Sequence, residues 1–505
     1  MPIEQFDSRE EKIENVQKAL GQPISLNACM DINCSESAAG TPFLCVNNKI
    51  YTNREDSHTI IFGSTGSKKT RLVIMPTVRL LGLAGETMIL IDPKAELYDR
   101  TAYDLKRRGY EIIAINFRNP SIGNCWNPFD VPYQFYKEGQ FDRSYEFVND
   151  IVNNIMLDSI AINDPYWDHS AADLLFGLIL MMFDLCKSRS KKEGMIEYES
   201  HREPKYFSDD DVNVNTVIKL RNIQFKDNAI AHSDFWRKEK KRNSLISVSL
   251  MGTVTAPLSK TQPSILSTFD QKMRMFMLQE NLTKMMSCSD FSLKTFGAST
   301  AKHALYIIMP DEKTTYHKLV SLFIKQSYEY LIYQAQQLER KCFDTRINYL
   351  LDEFASLPAI SDFPAMIAAA RSRNIRFNIV IQSQSQLKQK YNEDAETIKS
   401  NCNNWIFLTS REISLLKELE ALCGTFESRY NLYSVSRLQH LKKEEGEALL
   451  LCNRLYPFLT RLYDIDQYDG YDTINKEKWS KLNMERVSDI RKRFERFRFN
   501  NLLDN

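Results

Sequence analysis

The sequence carries almost no net charge and lacks closely spaced cysteines. Its 66 Lys and Arg residues nearly balance its 65 Asp and Glu residues, which leaves a formal charge of +1 at pH 7. Binding to a polyanion would therefore depend on local basic patches and not on the field of the whole molecule. The ten cysteines show neither C-x-x-C pairs nor neighbouring His ligands, a pattern typical of thiols in a reducing compartment. A zinc site or a disulfide framework is not expected.

A signal peptide and a long apolar run are also missing. The N-terminus, MPIEQFDSREEKIENVQKAL, is acidic where a signal peptide has a basic region followed by an apolar one. The longest apolar run extends only from Leu174 to Phe183, whereas a helix that crosses a bilayer needs about 20 apolar residues. We therefore expect a soluble, cytoplasmic protein.

The composition is that of a folded, globular chain. Of the 505 residues, 43% are hydrophobic and 26% are charged, which excludes the disordered, collagen-like and coiled-coil classes. At about 100 to 200 residues per domain, the length allows two or three domains, or one large domain with an insertion.

Strand and helix patterns alternate in two parts of the chain, which are separated by a region with helical spacing. The first part contains the predicted strand TIIF (59–62), a loop rich in Gly and Ser, and an apolar helix. The other predicted strands are 88–91, 111–117, 303–310, 347–351, 377–381 and 404–410. Between about 131 and 290, apolar residues recur at i, i+3, i+4 and i+7. This order predicts an α/β fold in which one parallel sheet is interrupted by an all-α insertion.

The loop after the first strand has the spacing of a phosphate-binding loop, G-x-x-x-x-G-K-[ST]. Backbone amides would hold the phosphates, Lys69 would neutralise the β and γ oxygens, and Thr70 would offer its hydroxyl to Mg²⁺. The predicted nucleotide-binding residues are Gly63, Ser64, Thr65, Gly66, Ser67, Lys68, Lys69 and Thr70. The alternative is a Ser/Gly turn that caps a helix containing lysines.

Lys68 interrupts this motif because it stands where the second glycine is expected. Its β-carbon lies where the backbone normally comes closest to the phosphates, so we expect strain in the loop. Its ammonium could either help to neutralise the nucleotide or point into solvent.

Polar side chains follow two further predicted strands. Asp352, directly after strand 347–351, can hold the water shell of Mg²⁺, and Glu353 can polarise an attacking water. Gln382 follows strand 377–381 and is a candidate sensor of the γ-phosphate. Because ligands of open α/β sheets bind at the carboxyl ends of the strands, these side chains should share a site with the loop. Taken singly, the acidic pair is more often an ordinary charge at a helix N-terminus, and Gln382 could equally be part of a helix cap.

Arg371 and Arg373 lie between those two strands, at the end of a predicted helix. Either could reach the nucleotide of a neighbouring subunit as an arginine finger. The alternative is a solvated basic helix end.

Several sequence blocks, taken together and in order, resemble the type IV secretion system coupling proteins, the TraG/TraD-like ATPases of conjugation. The blocks lie within about residues 58–410 and are GSTGSKKT, LIDPKAELYD, CWNPFD, DPYWDHSAADLL, YLLDEFASLPAI, AAARSRNIR, IQSQSQLKQKY and SNCNNWIFL. The resemblance implies a RecA-like P-loop NTPase domain interrupted by an all-α domain. It also implies a homo-hexameric ring that uses ATP and Mg²⁺ to move single- or double-stranded DNA. The implied partners are a relaxase or relaxosome and the proteins of the secretion channel.

Carried over by position, the resemblance assigns roles to residues that spacing had already singled out. It makes Thr70 and Asp352 the Mg²⁺ ligands, and it implies catalytic roles for Glu353, Gln382 and Arg371, the last in a neighbouring subunit.

Other parts of the resemblance carry less detail or depart from the family. Asp92 and Lys94 match a block beside the nucleotide site, without individual roles. Family members usually begin with membrane-spanning helices, which this sequence does not show. Membrane association would then run through a partner protein, unless such a segment has been removed. The lysine at position 68 does not alter the expected architecture or substrate, but it could change the rate of ATP hydrolysis.

The patterns and the resemblance together predict domain boundaries. We expect an N-terminal lead-in at 1–57, a RecA-like domain formed by 58–130 and 291–465, an all-α domain at 131–290 and a basic tail at 466–505. The run RKEKKR (237–242) and the tail are candidate DNA-backbone patches, although most basic runs are merely solvated surface.

The sequence thus favours a DNA-stimulated ATPase of conjugative transfer, cytoplasmic and recruited to the inner face of the cell membrane. One rival is a nucleotide-binding docking platform with little or no hydrolysis, which Lys68 supports. The other is a related DNA-segregation or DNA-packaging translocase.

Overall fold

The computed structural model describes residues 12–157, 165–193, 208–426, 430–452, 455–468 and 477–479. Within these ranges the chain divides into two compact units. The first contains the described residues up to Ala114 and those from Leu293 to Lys478, and the second contains the described residues of Ile115–Ser292 together with Trp479.

The N-terminal part of the first unit forms a small antiparallel sheet. Its elements are α1 (Ile13–Leu20), β1 (Ile24–Ser25), α2 (Leu26–Met30), β2 (Pro42–Val46) and β3 (Lys49–Thr52), with strand order β1-β3-β2. Asn47 and Asn48, both with positive φ, form the two-residue turn between β2 and β3, as expected for a tight hairpin. The short β region predicted from FLCVNNKIYT is therefore present.

The larger sheet of the first unit contains nine strands among the described residues. Its order is β14-β13-β10-β4-β9-β8-β5-β7-β6, and the pairs from β10 to β7 are parallel. A separate two-stranded sheet consists of β11 and β12. The strands are β4 (Thr59–Gly63), β5 (Thr87–Asp92), β6 (Glu111–Asn116), β7 (His303–Ile308), β8 (Ile347–Leu351), β9 (Ile375–Ile381), β10 (Asn404–Thr409), β11 (Thr425–Phe426), β12 (Tyr430–Asn431), β13 (Glu447–Cys452) and β14 (Phe458–Arg461).

Burial on both faces explains why the central strands are almost continuously apolar. Every residue of β4, β5, β7, β8 and β9 is buried, which is the usual pattern of a parallel sheet covered by helices. The predicted strands of this sheet are confirmed to within two residues at their ends. Sequence analysis missed β13 and β14, which extend the sheet in antiparallel fashion beyond β10.

Helices connect the strands and make up the second unit. After a π-helical turn at Thr70–Ile74, the remaining helices are α3 (Met75–Ala84), α4 (Glu96–Arg107), α5 (Asp130–Glu138), α6 (Phe141–Met156), α7 (Pro165–Glu193), α8 (Val214–Gln224), α9 (Ala229–His232), α10 (Asp234–Arg242), α11 (Leu245–Val254), α12 (Thr261–Leu278), α13 (Glu280–Met285), α14 (His317–Gln337), α15 (Phe363–Ala370), α16 (Gln384–Tyr391), α17 (Asp394–Asn401), α18 (Ile413–Cys423), α19 (Val435–Gln439) and α20 (Ile465–Tyr468).

The second unit is built around α7, which packs against α6, α8, α11 and α12. A stretch of this helix, Pro165–Lys187, is by length and composition apolar enough to cross a membrane, but 67% of its most apolar window is buried inside the protein. Such burial is typical of the central helix of a helical domain. The RKEKKR run forms most of α10. Of the predicted basic tail at 466–505, only 466–468, in α20, and 477–479 lie within the described residues.

The second unit begins earlier than the predicted insertion, at Ile115 instead of residue 131. The reason is that the CWNPFD segment bonds to the end of the same unit. The Trp126 amide donates to the Met285 carbonyl over 3.0 Å, and the Cys125 amide donates to Asp290 Oδ2 over 3.2 Å. These contacts are distant in sequence, so periodicity does not reveal them.

Candidate nucleotide-binding site

The predicted phosphate loop leaves the carboxyl end of β4, between β9 and β10. The Ser64 amide donates to the Thr409 carbonyl at the end of β10 over 2.9 Å, which fixes the start of the loop. A β-carbon at position 63 would lie 2.4 Å from Ser67 Oγ and 2.9 Å from Lys69 Cγ. Gly63 is therefore required because the loop folds back over its own beginning.

Lys69 lies inside this loop. Its ammonium donates to the carbonyl oxygens of Gly63, over 2.7 Å, and of Ser64, over 3.1 Å. The side chain is buried, which lowers the pKa of the ammonium, and the negative charges of Asp352 and Glu353 oppose that effect. A buried cation held only by neutral carbonyls is well suited to bind an anion in their place.

The hydroxyl of Ser67 is a second group that suits a phosphate. Its Oγ is buried and has no hydrogen-bond partner among the described residues. Buried polar groups are usually paired, so an unpaired hydroxyl inside the loop fits a site whose partner is a ligand oxygen.

Thr70 and Asp352 place oxygen atoms together where they could hold a divalent cation. Asp352 follows β8, and its Oδ2 accepts a hydrogen bond from Thr70 Oγ1 over 3.0 Å. Burial raises the pKa of Asp352 to about 6, while the Thr70 hydroxyl and the Lys69 ammonium act in the opposite direction. A hydroxyl beside a carboxylate is the oxygen chemistry that Mg²⁺ prefers, so the residues present fit a nucleotide with its Mg²⁺.

Glu353 and Gln382 complete this edge of the sheet. Gln382, directly after β9, donates from Nε2 to Glu353 Oε1 over 3.0 Å and accepts from Thr65 Oγ1 over 3.1 Å. Glu353 has a positive φ of 55°, which is uncommon for a non-glycine residue and turns the chain sharply away from β8. The phosphate loop is thus linked by hydrogen bonds to the acidic residue predicted to polarise water.

Asp92, left without a role by sequence analysis, caps a helix beside the site. It ends β5, next to β8, and its Oδ2 accepts the backbone N–H of Tyr98 in the first turn of α4 over 2.9 Å. Burial raises the pKa of Asp92 to about 7, and the nearby charge of Asp352 acts in the same direction. Asp92 therefore positions α4.

The backbone of Lys68 has the strain expected from the sequence, and its side chain forms an ion pair at the surface. Its φ of 62° is in the left-handed region that glycine adopts freely. The ammonium neither faces the carbonyls that hold Lys69 nor stands free in solvent, because it forms an ion pair with Glu444. No local motif marks Glu444, since this partner lies far along the chain.

Arg371 lies at the other edge of the sheet. It begins a short 3-10 turn at Arg371–Arg373, just before the amino end of β9, whereas Gln382 follows the carboxyl end. The 7 residues of β9, at about 3.3 Å each, separate these ends by roughly 20 Å. Within one chain the structure therefore does not bring Arg371 to the phosphate loop, and its action on a neighbouring subunit stays a prediction.

A largely parallel sheet with a phosphate loop after β4 and an acidic pair after β8 defines the fold of a P-loop NTPase. A family model described as "Type IV secretory system Conjugative DNA transfer" matches residues 9–442. The chain therefore belongs to this family, and the family predicted from the sequence blocks is confirmed.

Solved structures of coupling proteins share the fold. TrwBdeltaN70, a bacterial conjugative coupling protein in a trigonal form with sulphate, is 14% identical with a TM-score of 0.60, over 94% of this chain and 98% of that chain. TrwB in complex with ADP and Mg²⁺ is 14% identical with a TM-score of 0.59, over 94% and 96%. A search of curated protein sequences found no match. The predicted RecA-like fold with a helical domain is confirmed.

Proposed function

We propose that this protein is an ATPase of conjugative DNA transfer that binds ATP with Mg²⁺ and DNA, and drives a relaxase–DNA substrate to the secretion channel. The observation that carries the proposal is the convergence of Lys69, Thr70, Asp352, Glu353 and Gln382 at one edge of the parallel sheet. Membership of the conjugative DNA transfer family supplies the biological setting.

Each of these side chains has a task in the proposed reaction. Lys69 exchanges the carbonyls of Gly63 and Ser64 for phosphate oxygens, and Thr70 with Asp352 would hold Mg²⁺, which neutralises the charge on the phosphates. Glu353 accepts a hydrogen bond from the attacking water and orients it, while the amide of Gln382 fixes the carboxylate of Glu353. The TrwB complex with ADP and Mg²⁺ supports this choice of ligand.

The proposal includes an assembly and a location. We place the protein in the cytoplasm as a homo-hexamer, recruited to the inner face of the cell membrane through a partner protein. In such a ring, Arg371 can serve a neighbouring subunit because it is exposed and lies away from its own phosphate loop. The exposed cations of α10 are candidates for contacts with the DNA backbone.

The proposal is tested by ATP turnover without DNA, with single-stranded DNA and with double-stranded DNA, combined with the particle mass under the same conditions. We expect turnover that requires Mg²⁺, increases severalfold with DNA and accompanies a six-subunit mass. Chelation of Mg²⁺ is the control, because it should abolish turnover without changing the mass of the free chain. A protein that does not bind MgADP at all would refute the site assignment.

Lys68→Gly distinguishes the motor from the non-hydrolysing platform. The left-handed backbone at position 68 suits glycine. The Lys68–Glu444 pair is exposed and therefore contributes little to the free energy of unfolding. We therefore expect ATP turnover within about threefold of the wild-type rate. If steady-state hydrolysis appeared only in Lys68→Gly, the natural chain would be a docking platform.

A further inference from the structure

The two cationic residues that flank Lys69 and Thr70 both bind acidic residues near the end of the described chain. Lys68 pairs with Glu444, and Arg71 binds Asp464 and Asp466. We call Glu444, Asp464 and Asp466 the acidic anchor. Lys69 and Thr70 instead bind groups inside the candidate site, so the two site residues are flanked on both sides by residues held by the acidic anchor.

The contact between Arg71 and Asp464 is the most specific of these. Arg71 Nε donates to Asp464 Oδ2 over 3.1 Å, and a terminal guanidinium nitrogen of the same side chain donates to Asp464 Oδ1. This bidentate arrangement fixes the orientation of the guanidinium as well as its position. Asp466 binds Arg71 and also Arg100 of α4, so the anchor joins the phosphate loop to a second helix beside the site.

The acidic anchor is itself held in place by buried residues. Ile465 and Tyr468 of α20 are buried, and the Asp464 amide donates to Gln467 Oε1 over 2.9 Å. Glu444 precedes β13, which pairs with β10 next to the phosphate-loop strand. The anchor residues are therefore held by packed neighbouring elements, since Glu444 lies just before β13 and Asp464 just before α20.

We propose that Asp464 and Glu444 are positioning residues of the nucleotide site, which act through Arg71 and Lys68 to hold the phosphate loop in its binding shape before nucleotide arrives. The proposal rests on the proposed nucleotide-binding function. The proposal also explains why a lysine stands where glycine is expected, because a side chain is needed at position 68 to reach Glu444.

Exposed ion pairs generally contribute little to global stability. The effect of the anchor should therefore appear in the order of the loop and in nucleotide affinity, because a loop that is already ordered loses less conformational entropy on binding. A purely structural role would instead lower the melting temperature and leave affinity unchanged.

The test compares Asp464→Asn and Glu444→Gln with the matched control Glu445→Gln, whose carboxylate pairs with Lys442 and Arg461. Affinity for MgADP is measured by calorimetry, and hydrogen exchange of residues 64–71 is measured without nucleotide. We expect Asp464→Asn to weaken binding about 5- to 10-fold and Glu444→Gln about 2-fold, with faster loop exchange in both. Glu445→Gln should match the wild type in both measurements.

Arg71→Met removes this contact from the other side, together with the contact to Asp466, and serves if Asp464→Asn does not fold. The double variant should bind MgADP no more weakly than Arg71→Met alone, because that substitution already removes the contact to Asp464. Wild-type affinity and wild-type loop exchange in Asp464→Asn or Arg71→Met would overturn the inference while the proposed function stands. Failure of the wild-type chain to bind MgADP would overturn the proposed function, and the exchange measurement would still test the anchor.

Discussion

Glu353→Gln should abolish ATP turnover while MgATP binding remains. The substitution removes the negative charge that orients and polarises the attacking water, and general-base catalysis contributes about 10²- to 10⁴-fold to such reactions. Glutamine keeps the size of the side chain and an oxygen that accepts the hydrogen bond of Gln382, so the link to Thr65 is preserved. We therefore expect turnover to fall at least about 100-fold, with little change in affinity for MgADP.

The measurement is steady-state phosphate release together with calorimetric binding of MgADP. Glu396→Gln is a matched control, because Glu396 is exposed on α17, which leads into the amino end of β10 at the opposite edge of the sheet. Turnover in Glu353→Gln at the wild-type rate would remove Glu353 from the reaction, even if nucleotide bound normally.

Lys69→Ala should strongly weaken nucleotide binding itself. Its ammonium is the buried cation of the loop, held by the carbonyls of Gly63 and Ser64 until a stronger acceptor is present. Loss of a charge-assisted contact to phosphate weakens binding by about 30- to 100-fold. Turnover should then fall below detection at ordinary ATP concentrations.

The two substitutions are distinguished by binding and not by turnover. Lys69→Ala should lose both binding and turnover, whereas Glu353→Gln should lose turnover alone. Lys49→Ala is the control for removing a lysine, because Lys49 is exposed on β3 of the small N-terminal sheet. MgADP affinity in Lys69→Ala equal to that of the wild type would contradict the assignment of the loop.

Local patterns predicted most of the central sheet and the contents of the candidate site. β4, β5, β8 and β9 are buried on both faces, so their residues form apolar runs that end where polar residues begin. In a parallel sheet these ends meet, and this rule correctly brought Gln382 and Glu353 to the loop.

Features that depend on distant parts of the chain could not be predicted. The strand Glu447–Cys452 is short and apolar, but only its pairing with β10 makes it part of the sheet. The partner of Lys68 lies more than 300 residues away in the sequence, at Glu444. The start of the second unit likewise depends on bonds between the CWNPFD segment and residues 285–290.

The order of the strands also bears on how the chain folds during its synthesis. β4, which carries the phosphate loop, leaves the ribosome before both of its sheet neighbours, β9 and β10, which are made more than 300 residues later. At about 5 to 20 residues per second, a nascent chain spends tens of seconds with the apolar β4 unpaired. Chaperones that shield exposed strands should therefore be needed most during this interval, and a chain released before β10 cannot complete the loop.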